Sequence, residues 1–461
     1  MKMLFRRSAG KRNPAKQSKA INSTKIIALV FAGIILLGTL LLMLPVASRS
    51  GVSCGFRPAL FTATSATCVT GLVLYDTWSQ WSGFGQTVII SLIEIGGLGF
   101  MSAASMVIFL FRKKIGLKQR MVMAQALSLT DMEGVVRLQK LVILGSLSVQ
   151  SVGALILAVR FAPDYGVATA VKWGVFHAIS AFCNAGFDIF GCITPGASLI
   201  EFNSDPVVIL TLAALVIVGG LGFLVWQEMI TVRRWQKFSV YSKLVLCTTL
   251  VLLLIGFAGV CVLEWNNPAT LGSMSVGDKL MNGFFQSVTI RTAGFAAIDQ
   301  AGLSDAGKAL CMALMIIGGA SGSTAGGIKV VTIVVLVLFL ATRARGRRTV
   351  CVFKRTIPES QVLDAMTICA IVMVLAVFGA IFISATSQVS FVDAAYESVS
   401  AIATVGLTAG ATTNLSIAAQ YLIILYMYFG RVGVLTISLG FLMGDRAEER
   451  FEYARTSLLI G

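Results

Sequence analysis

Long apolar stretches dominate the pattern of hydrophobic and polar positions along this chain. Four of them have about the 20 residues that a helix needs to cross a bilayer: 26–46, 141–159, 244–263 and 367–384. Shorter apolar segments of about half this length lie between them. The pattern predicts a polytopic α-helical membrane protein.

The pattern also repeats four times along the chain. Each copy has a long apolar run, a short apolar segment, a glycine followed by a bulky apolar residue, and a second long apolar run. The glycine pairs, at nearly equal intervals, are Gly71-Leu72, Gly186-Phe187, Gly294-Phe295 and Gly406-Leu407. Ser65, Ser180 or Ser400 stands six residues before the glycine, whereas the third copy has Val288 and Thr289 there.

A second glycine motif interrupts the last apolar run of each copy. It reads Gly96-Gly97, Gly219-Gly220, Gly318-Gly319 and Gly430-Arg431. The repeat predicts four units, 26–115, 116–235, 236–345 and 346–445. A basic tail, 1–25, precedes them and a C-terminal tail, 446–461, follows them.

The short apolar segments, 57–67, 172–182, 278–288 and 392–402, cannot span a bilayer. Irregular backbone at membrane depth is tolerated only where it is buried in protein or lines a watery cavity. We therefore expect four re-entrant loops around one axis, each held by a helix on either side. The predicted fold is all-α, with four helix–pore loop–helix units in pseudo-fourfold arrangement.

The charges predict the orientation in the membrane. Only 13% of the 461 residues are charged, yet the net charge is +16, and residues 1–25 hold eight Lys or Arg and no acid. The positive-inside rule places this tail, the loops near 111–140, 232–243 and 342–361, and the C-terminus in the cytoplasm. The first apolar run exceeds the 7–15 residues of a signal-peptide core, so we expect a retained span. The glycine loops would then face outward, under an acidic vestibule that includes Asp76, Asp188, Asp299 and Asp393.

Catalytic and metal-binding motifs are absent from the sequence. The nine cysteines form no CxxC pair, and no HExxH or Ser/His/Asp set accompanies the single histidine, His177. We expect His177 to be a packing residue rather than a proton relay. The positive charge is explained by topology, so the expected partner is the lipid membrane and not a nucleic acid, and no enzyme is expected.

Four glycine loops around one axis suit the binding of a dehydrated cation. Membrane cation filters use rings of backbone carbonyls that replace the hydration shell, and glycine permits the backbone angles this needs. The C-terminal end of each short helix would add its partial negative charge. Glycines that merely pack helices are the alternative.

The loops "VTGL", "NAGF", "RTAGF" and "TVGL" resemble those of the Trk/Ktr/HKT superfamily of potassium transporters. The resemblance is closest to the bacterial Ktr-type membrane subunit, and it implies potassium uptake across the bacterial cytoplasmic membrane. Arg291 would support the third loop from behind. The resemblance implies K⁺ at the backbone carbonyls of a filter made of Cys68, Val69, Thr70, Gly71, Cys183, Asn184, Ala185, Gly186, Thr292, Ala293, Gly294, Ala403, Thr404, Val405 and Gly406.

The segment "GGASGSTAGGIKV", 318–330, breaks an apolar run, and glycine at this density unwinds a helix. It resembles the intramembrane gate loop of the family. A phosphate-binding loop is disfavoured because Lys329 does not directly follow a glycine and no Ser or Thr follows it. The predicted gate residues are Gly318, Gly319, Ser321, Gly322, Ser323, Thr324, Gly326, Gly327 and Lys329.

Arg431 is a charge inside an apolar run, which is costly and marks a functional hypothesis. The family has an arginine on this helix, taken as an electrostatic barrier below the filter. A structural ion pair with Glu94 or another buried acid is the alternative.

The resemblance also implies partners. Ktr-type subunits form homodimers on a cytosolic RCK-type ring that binds the nucleotide, ATP or ADP, so no cofactor is expected on this chain. The basic loops near 111–120 and 343–355 are the expected docking surface, and the C-terminal "ARTSLLIG" resembles the dimer interface. Sodium coupling stays open, as does a rival architecture, a secondary transporter of another solute built from inverted repeats.

Overall fold

The computed structural model describes residues 23–99, 135–347 and 349–433. Some of the predictions from the sequence concern residues outside these ranges. They include most of the basic tail, the docking loop near 111–120 and the C-terminal "ARTSLLIG".

Helices make up nearly all of the regular structure in the described residues. In chain order they are α1 (Ser23–Leu42), α2 (Phe56–Cys68), α3 (Thr77–Gln80), α4 (Gly83–Leu98), α5 (Val135–Tyr165), α6 (Val167–Phe182), α7 (Pro206–Gly220), α8 (Phe223–Thr231), α9 (Val240–Glu264), α10 (Val276–Thr289), α11 (Asp305–Met315), α12 (Val330–Ala344), α13 (Glu359–Thr386), α14 (Phe391–Ile402) and α15 (Ile417–Val432). Short 3₁₀ turns lie at Pro45–Ala47, Phe190–Cys192, Ile200–Phe202, Trp235–Lys237 and Thr412–Asn414. The strands β1 (Cys351–Val352) and β2 (Arg355–Thr356) form an antiparallel hairpin.

Long apolar helices form the outer layer of the fold. Val136–Tyr165, Val240–Glu264 and Glu359–Thr386 are long and apolar enough to cross a membrane, as are α7 and α8 taken as one span bent by 93°. Only 28–33% of the most apolar window of the three long helices is buried, so their remaining surface is available to lipid. The predicted run 26–46 ends as a helix at Leu42, because Pro45 holds the preceding residue, Leu44, in extended conformation.

The four predicted short segments are helices at the centre of the fold. They are α2, α6, α10 and α14, with 13, 16, 14 and 12 residues. Each packs against the long helix that precedes it: α1 on α2, α5 on α6, α9 on α10 and α13 on α14. Ten of the 13 residues of α2 are buried, a much larger share than in the long outer helices.

The second apolar run of each copy is broken at a glycine of positive φ. α4 ends at Gly99 (φ 83°), α7 and α8 meet at Gly222 (φ 90°), and α15 ends at Gly433 (φ 95°). Such a backbone suits glycine, which has no Cβ to clash. In the third copy the break is widest, since residues 316–329 form an irregular loop between α11 and α12. The sequence pattern "GGLGF" occurs twice and indicates the breaks at Gly99 and Gly222, whereas the sequence-based prediction covers only the break in the third copy.

Candidate functional site

Each short helix leads into a loop with the same unusual backbone. A residue in the left-handed region stands two positions before a glycine that also has positive φ. The pairs are Val69 (58°) with Gly71 (102°), Asn184 (60°) with Gly186 (68°), Thr292 (67°) with Gly294 (83°), and Thr404 (50°) with Gly406 (94°). Left-handed residues other than glycine are uncommon, so their recurrence at one position shows that the four loops share one conformation.

The four loops meet in a closed ring that follows the chain order. Each glycine abuts the carbonyl oxygen of the residue before the next glycine: Gly71 meets Ala185, Gly186 meets Ala293, Gly294 meets Val405, and Gly406 meets Thr70. A Cβ added at Gly71 would lie 2.5 Å from the Ala185 oxygen. Only glycine therefore fits at these positions, and what they contact is loop backbone rather than a neighbouring helix.

Hydroxyl groups tie each loop back to its helix. Ser65 and Ser400 accept hydrogen bonds of 3.1 Å from the backbone N–H groups of their own glycines. Ser180 and Thr289 instead donate at 2.7 Å to the carbonyls of Phe187 and Phe295. Thr289 stands five residues before its glycine rather than six, so the third loop is one residue shorter. This deletion explains why the serine pattern fails in the third copy.

Four buried polar side chains form a second set, and three of them, His177, Gln286 and Glu397, bind the segments that leave the ring. They occupy one position on the short helices: Thr62, His177, Gln286 and Glu397. His177 accepts a bond from the Ile189 N–H (3.2 Å) and stacks on Phe190, as a packing residue would. Gln286 donates to Gln300 (2.7 Å), and Glu397 accepts from the Thr408 and Thr412 hydroxyls.

Of these residues, only His177 is identified from the sequence, as a packing residue, because the four side chains differ in type. The residue before each is aromatic in all four helices: Phe61, Phe176, Phe285 and Tyr396. That aromatic residue was the available signal.

Glycines of the second motif bring the broken helices close to the loops. Gly96 abuts the Thr67 carbonyl oxygen, Gly219 that of Phe182, and Gly430 that of Ile402, each at the C-terminal end of a short helix. In the third copy, Gly318 instead abuts the Gly326 oxygen of the irregular loop 316–329. Glycine is needed there because the two backbones touch.

A cavity of about 300 Å³ opens where the chain leaves the ring. All four ring glycines line it, together with three of the four predicted carboxylates, Asp76, Asp188 and Asp299. The fourth, Asp393, is not among the residues that line this cavity, and it pairs with Lys308 (2.7 Å). Burial, followed by the charge of Asp76, raises the pKa of Asp188 to about 7, against hydrogen bonds from Phe190 and Ser198.

The irregular loop 316–329 lies against the opposite end of the ring loops. Its Gly326 abuts the Thr404 hydroxyl and lies near the Ala403 carbonyl oxygen. The Thr324 hydroxyl donates to the Phe182 carbonyl (3.0 Å) and contacts the Asn184 side chain (3.3 Å). The loop thus touches the second and fourth ring loops at residues that precede their glycines.

Backbone and ammonium hydrogen bonds close this loop on itself. Gly318 N–H donates to Ile328 (2.9 Å), and Val330 N–H donates to Gly319 (3.0 Å). Lys329 donates from Nζ to the Ala325 carbonyl (2.7 Å). The lysine is therefore engaged by its own loop and holds it in a compact turn.

Arg431 binds backbone carbonyls. Its guanidinium donates to Thr324 in the loop 316–329, and to Gly96 and Gly97 (3.0 Å) at the end of α4. Glu94, the alternative partner, accepts instead from Gln150 (2.9 Å) and Cys183 (3.3 Å). Within the described part of the chain, Arg431 therefore forms no ion pair with Glu94.

Arg291 also binds a carbonyl, as expected of a support behind the third loop. It is 9% exposed and donates from Nη2 to Gly318 (3.3 Å), where the loop 316–329 begins. Its side chain does not line the cavity above the ring. Arg291 therefore connects the third ring loop to the start of the irregular loop.

Apolar spanning helices around short buried helices, which converge on a ring of backbone carbonyls, define a polytopic membrane transport protein. The chain belongs to the TrkH family of cation transport proteins, whose family model matches residues 4–450.

Similar proteins extend over nearly the whole chain. The potassium/sodium uptake protein NtpJ of Enterococcus hirae is 40% identical, covering 96% of this chain and 98% of that protein. The Ktr system potassium uptake protein B of Bacillus subtilis is 39% identical over 93% of this chain and 94% of that protein. The crystal structure of the potassium transporter TrkH from Vibrio parahaemolyticus has the same fold, with a TM-score of 0.69, 19% identity, and coverage of 93% and 86%.

Proposed function

We propose that this chain takes up potassium through the ring of Gly71, Gly186, Gly294 and Gly406. The observation that carries the proposal is the closed ring, in which four loops of similar conformation bring backbone carbonyls together. Such carbonyls can replace the hydration shell of K⁺. The buried hydroxyls of Thr67, Thr70, Thr292 and Thr404 have no partner among the described residues and offer further oxygen ligands. The names of the relatives, which describe potassium uptake, support this substrate.

The architecture we propose is four parallel units around one pore axis. The contacts support it, since each loop meets the next one in chain order and the fourth meets the first, as rotation about one axis requires. Inverted repeats would instead relate the two halves by an axis in the membrane plane. The rival secondary transporter is therefore less consistent with the ring.

The loop 316–329, which contains the predicted gate residues, is the proposed gate. It contacts the ring loops on the side away from the acidic cavity, so an ion leaving the ring inward would meet it. Arg431 contributes a positive charge beside Thr324. At an effective dielectric constant of about 20 and a separation of about 5 Å, that charge opposes K⁺ by about 3 kcal/mol.

We further propose that the chain forms a homodimer on a cytosolic nucleotide-binding ring, with both termini in the cytoplasm and no catalytic activity of its own. The hairpin β1–β2 and the residues before it support this docking surface. They expose Arg345, Arg347, Lys354 and Arg355, which suit an acidic partner.

Rubidium uptake tests the proposal. Cells that lack their own potassium systems would express the chain, and uptake would be measured with and without sodium. We expect saturable rubidium uptake that potassium inhibits, and any dependence on sodium would show coupling. Correctly inserted protein that takes up no rubidium would overturn the proposal.

A further inference from the structure

One continuous segment at the junction of the second and third units holds the loop 316–329. This segment, residues 223–241, comprises α8, the following connection and the first turn of α9, and we term it the clamp. At its start, the Phe223 N–H donates to the Gly322 carbonyl (2.9 Å). At its end, the Tyr241 hydroxyl donates to the Ser321 carbonyl (2.8 Å). The two ends of the clamp thus hold two consecutive residues of the loop.

The bend between α7 and α8 provides the seat for this contact. Carbonyls at the end of α7 accept two more bonds from the loop, Ala320 N–H to Gly220 (3.1 Å) and Thr324 N–H to Gly219 (3.3 Å). A straight helix would use these carbonyls internally. The 93° bend frees them, so the broken helix of the second unit pairs with the irregular loop of the third.

Hydrogen bonds also join the parts of the clamp to one another, on either side of the connection between α8 and α9. Glu228 on α8 accepts a bond from the Ser239 N–H (3.0 Å), and Lys243 donates to the Gln236 carbonyl (3.1 Å). Glu228 therefore ties α8 to the start of α9, and Lys243 ties α9 to the connection between the two helices. A displacement of α8 relative to α9 must disturb Ser321 or Gly322.

We propose that the clamp keeps the gate loop in its closed position and that Tyr241 is a gate-positioning residue. The proposal rests on the proposed function, in which 316–329 is the gate. A segment rich in glycine has many alternative conformations, so its closed form depends on bonds from outside. The Tyr241 hydroxyl is such a bond and can be removed without changing backbone or volume.

Tyr241→Phe tests the clamp in purified full-length protein reconstituted in liposomes. We expect rubidium flux without any cytosolic partner to rise roughly fivefold, as the loss of one hydrogen bond from the closed form implies. Selectivity and melting temperature should stay unchanged. Tyr426→Phe is the matched control, since its hydroxyl donates to the Leu375 carbonyl (2.6 Å), which belongs to α13 and not to the gate loop. Equal flux in the two variants would overturn the proposal.

A second pair of variants acts on the bend. A Cβ at Gly222 would lie 3.1 Å from Ala320 Cβ and from the Ser321 oxygen, so Gly222→Ala should push the loop out of its seat. Gly99→Ala introduces alanine at a similar positive φ, but no atom of the described residues lies within 4 Å of its Cβ. The clamp requires a larger flux increase for Gly222→Ala than for Gly99→Ala. An equal response would point to backbone strain and contradict the clamp.

Deleting Ser321–Gly326 separates the clamp from the gate itself. Higher flux in the deletion variant with no change in Tyr241→Phe would retain the gate and reject the clamp. Unchanged or lost flux in the correctly inserted deletion variant would reject the gate, and the clamp with it. Higher flux in both variants supports both.

Discussion

In the ring, every loop meets its neighbour through the same contact, whereas in the layer formed by residues 316–329 and Arg431 no contact is repeated. Gly71, Gly186, Gly294 and Gly406 each face a carbonyl oxygen of the next loop. Below them, the loop 316–329 touches the second and fourth ring loops and accepts a hydrogen bond from Arg291 of the third, each through a different contact. A cation that must be surrounded by oxygens requires equivalence, while a pore that must be blocked requires one movable part. In the function we propose, the two layers meet these demands separately within one chain.

The comparison extends to the side chains behind the ring. The equivalent supports His177, Gln286 and Glu397 hold the outgoing segments by different hydrogen bonds. The repeated feature is therefore the backbone conformation, and several chemistries can stabilise it.

The strongest test of this equivalence is a side chain in the ring. At Gly406, a Cβ would overlap the Thr70 carbonyl oxygen, so Gly406→Ser must displace a loop. We expect rubidium affinity or selectivity over sodium to fall roughly 100-fold, the upper range for forced overpacking. Gly410→Ser is the control, because Gly410 has φ 82° but only Ala301 nearby, at 3.8 Å.

Serine at Gly71, Gly186 or Gly294 should act in the same direction. Gly294→Ser, for example, should weaken potassium affinity or admit sodium while expression stays normal. If all four variants kept normal affinity and selectivity, the ring would not be the filter.

Arg431 tests the asymmetric layer, with a smaller expected effect. Arg431→Gln removes the charge and should raise flux roughly tenfold, less than the full Coulomb barrier because hydrogen bonds to the gate are also lost. Arg431→Lys keeps the charge and should keep flux low. Flux and melting temperature would be measured on one sample. Equal increases in both variants would assign Arg431 to bracing rather than to repulsion, and a lower melting temperature without added flux would make it structural.

A substitution at Glu397 tests whether each buried polar side chain behind the ring stabilises the ring loop next to it. Glu397→Gln can accept fewer hydrogen bonds from Thr408 and Thr412, so we expect rubidium-over-sodium selectivity to fall roughly fivefold. Glu264→Gln is the control, since Glu264 is also fully buried but binds Ser304 and Thr270 away from the ring. A selectivity change in both variants would show a general loss of stability.

The acidic cavity should give the smallest effect, through pH. The Asp188 carboxyl, with its pKa raised to about 7, is charged above that pH and neutral below it. Lowering the outside pH from about 8 to about 6 should therefore reduce rubidium uptake at low concentration roughly twofold, a modest effect because salt screens the cavity. Asp188→Asn should remove this dependence, whereas Asp299→Asn should retain it. A wild-type profile that is flat with pH would contradict the assignment.

The short helices and ring glycines could be predicted because they recur in the sequence with their flanking apolar runs. The one-residue deletion before Gly294 could not, since it becomes visible only when Thr289 is seen to replace the serine. The partners of Arg431 could not be predicted either. Every residue has a backbone carbonyl, so a sequence does not show which carbonyl an arginine binds, whereas an acidic residue such as Glu94 is visible as a candidate partner. The break at Gly222 was predictable from "GGLGF", yet its pairing with the gate loop depends on tertiary packing.

The closure of the ring between its last and first loops has a consequence for biosynthesis. Gly406 meets Thr70, and Tyr428 on the final described helix donates to Ala28 on the first (2.8 Å). Because a ribosome synthesises the N-terminal part first, the first loop lacks its contact with the fourth loop until most of the chain has been made. A chain interrupted before its last quarter therefore cannot close the ring, so we expect the proposed cation site to form only when synthesis is complete.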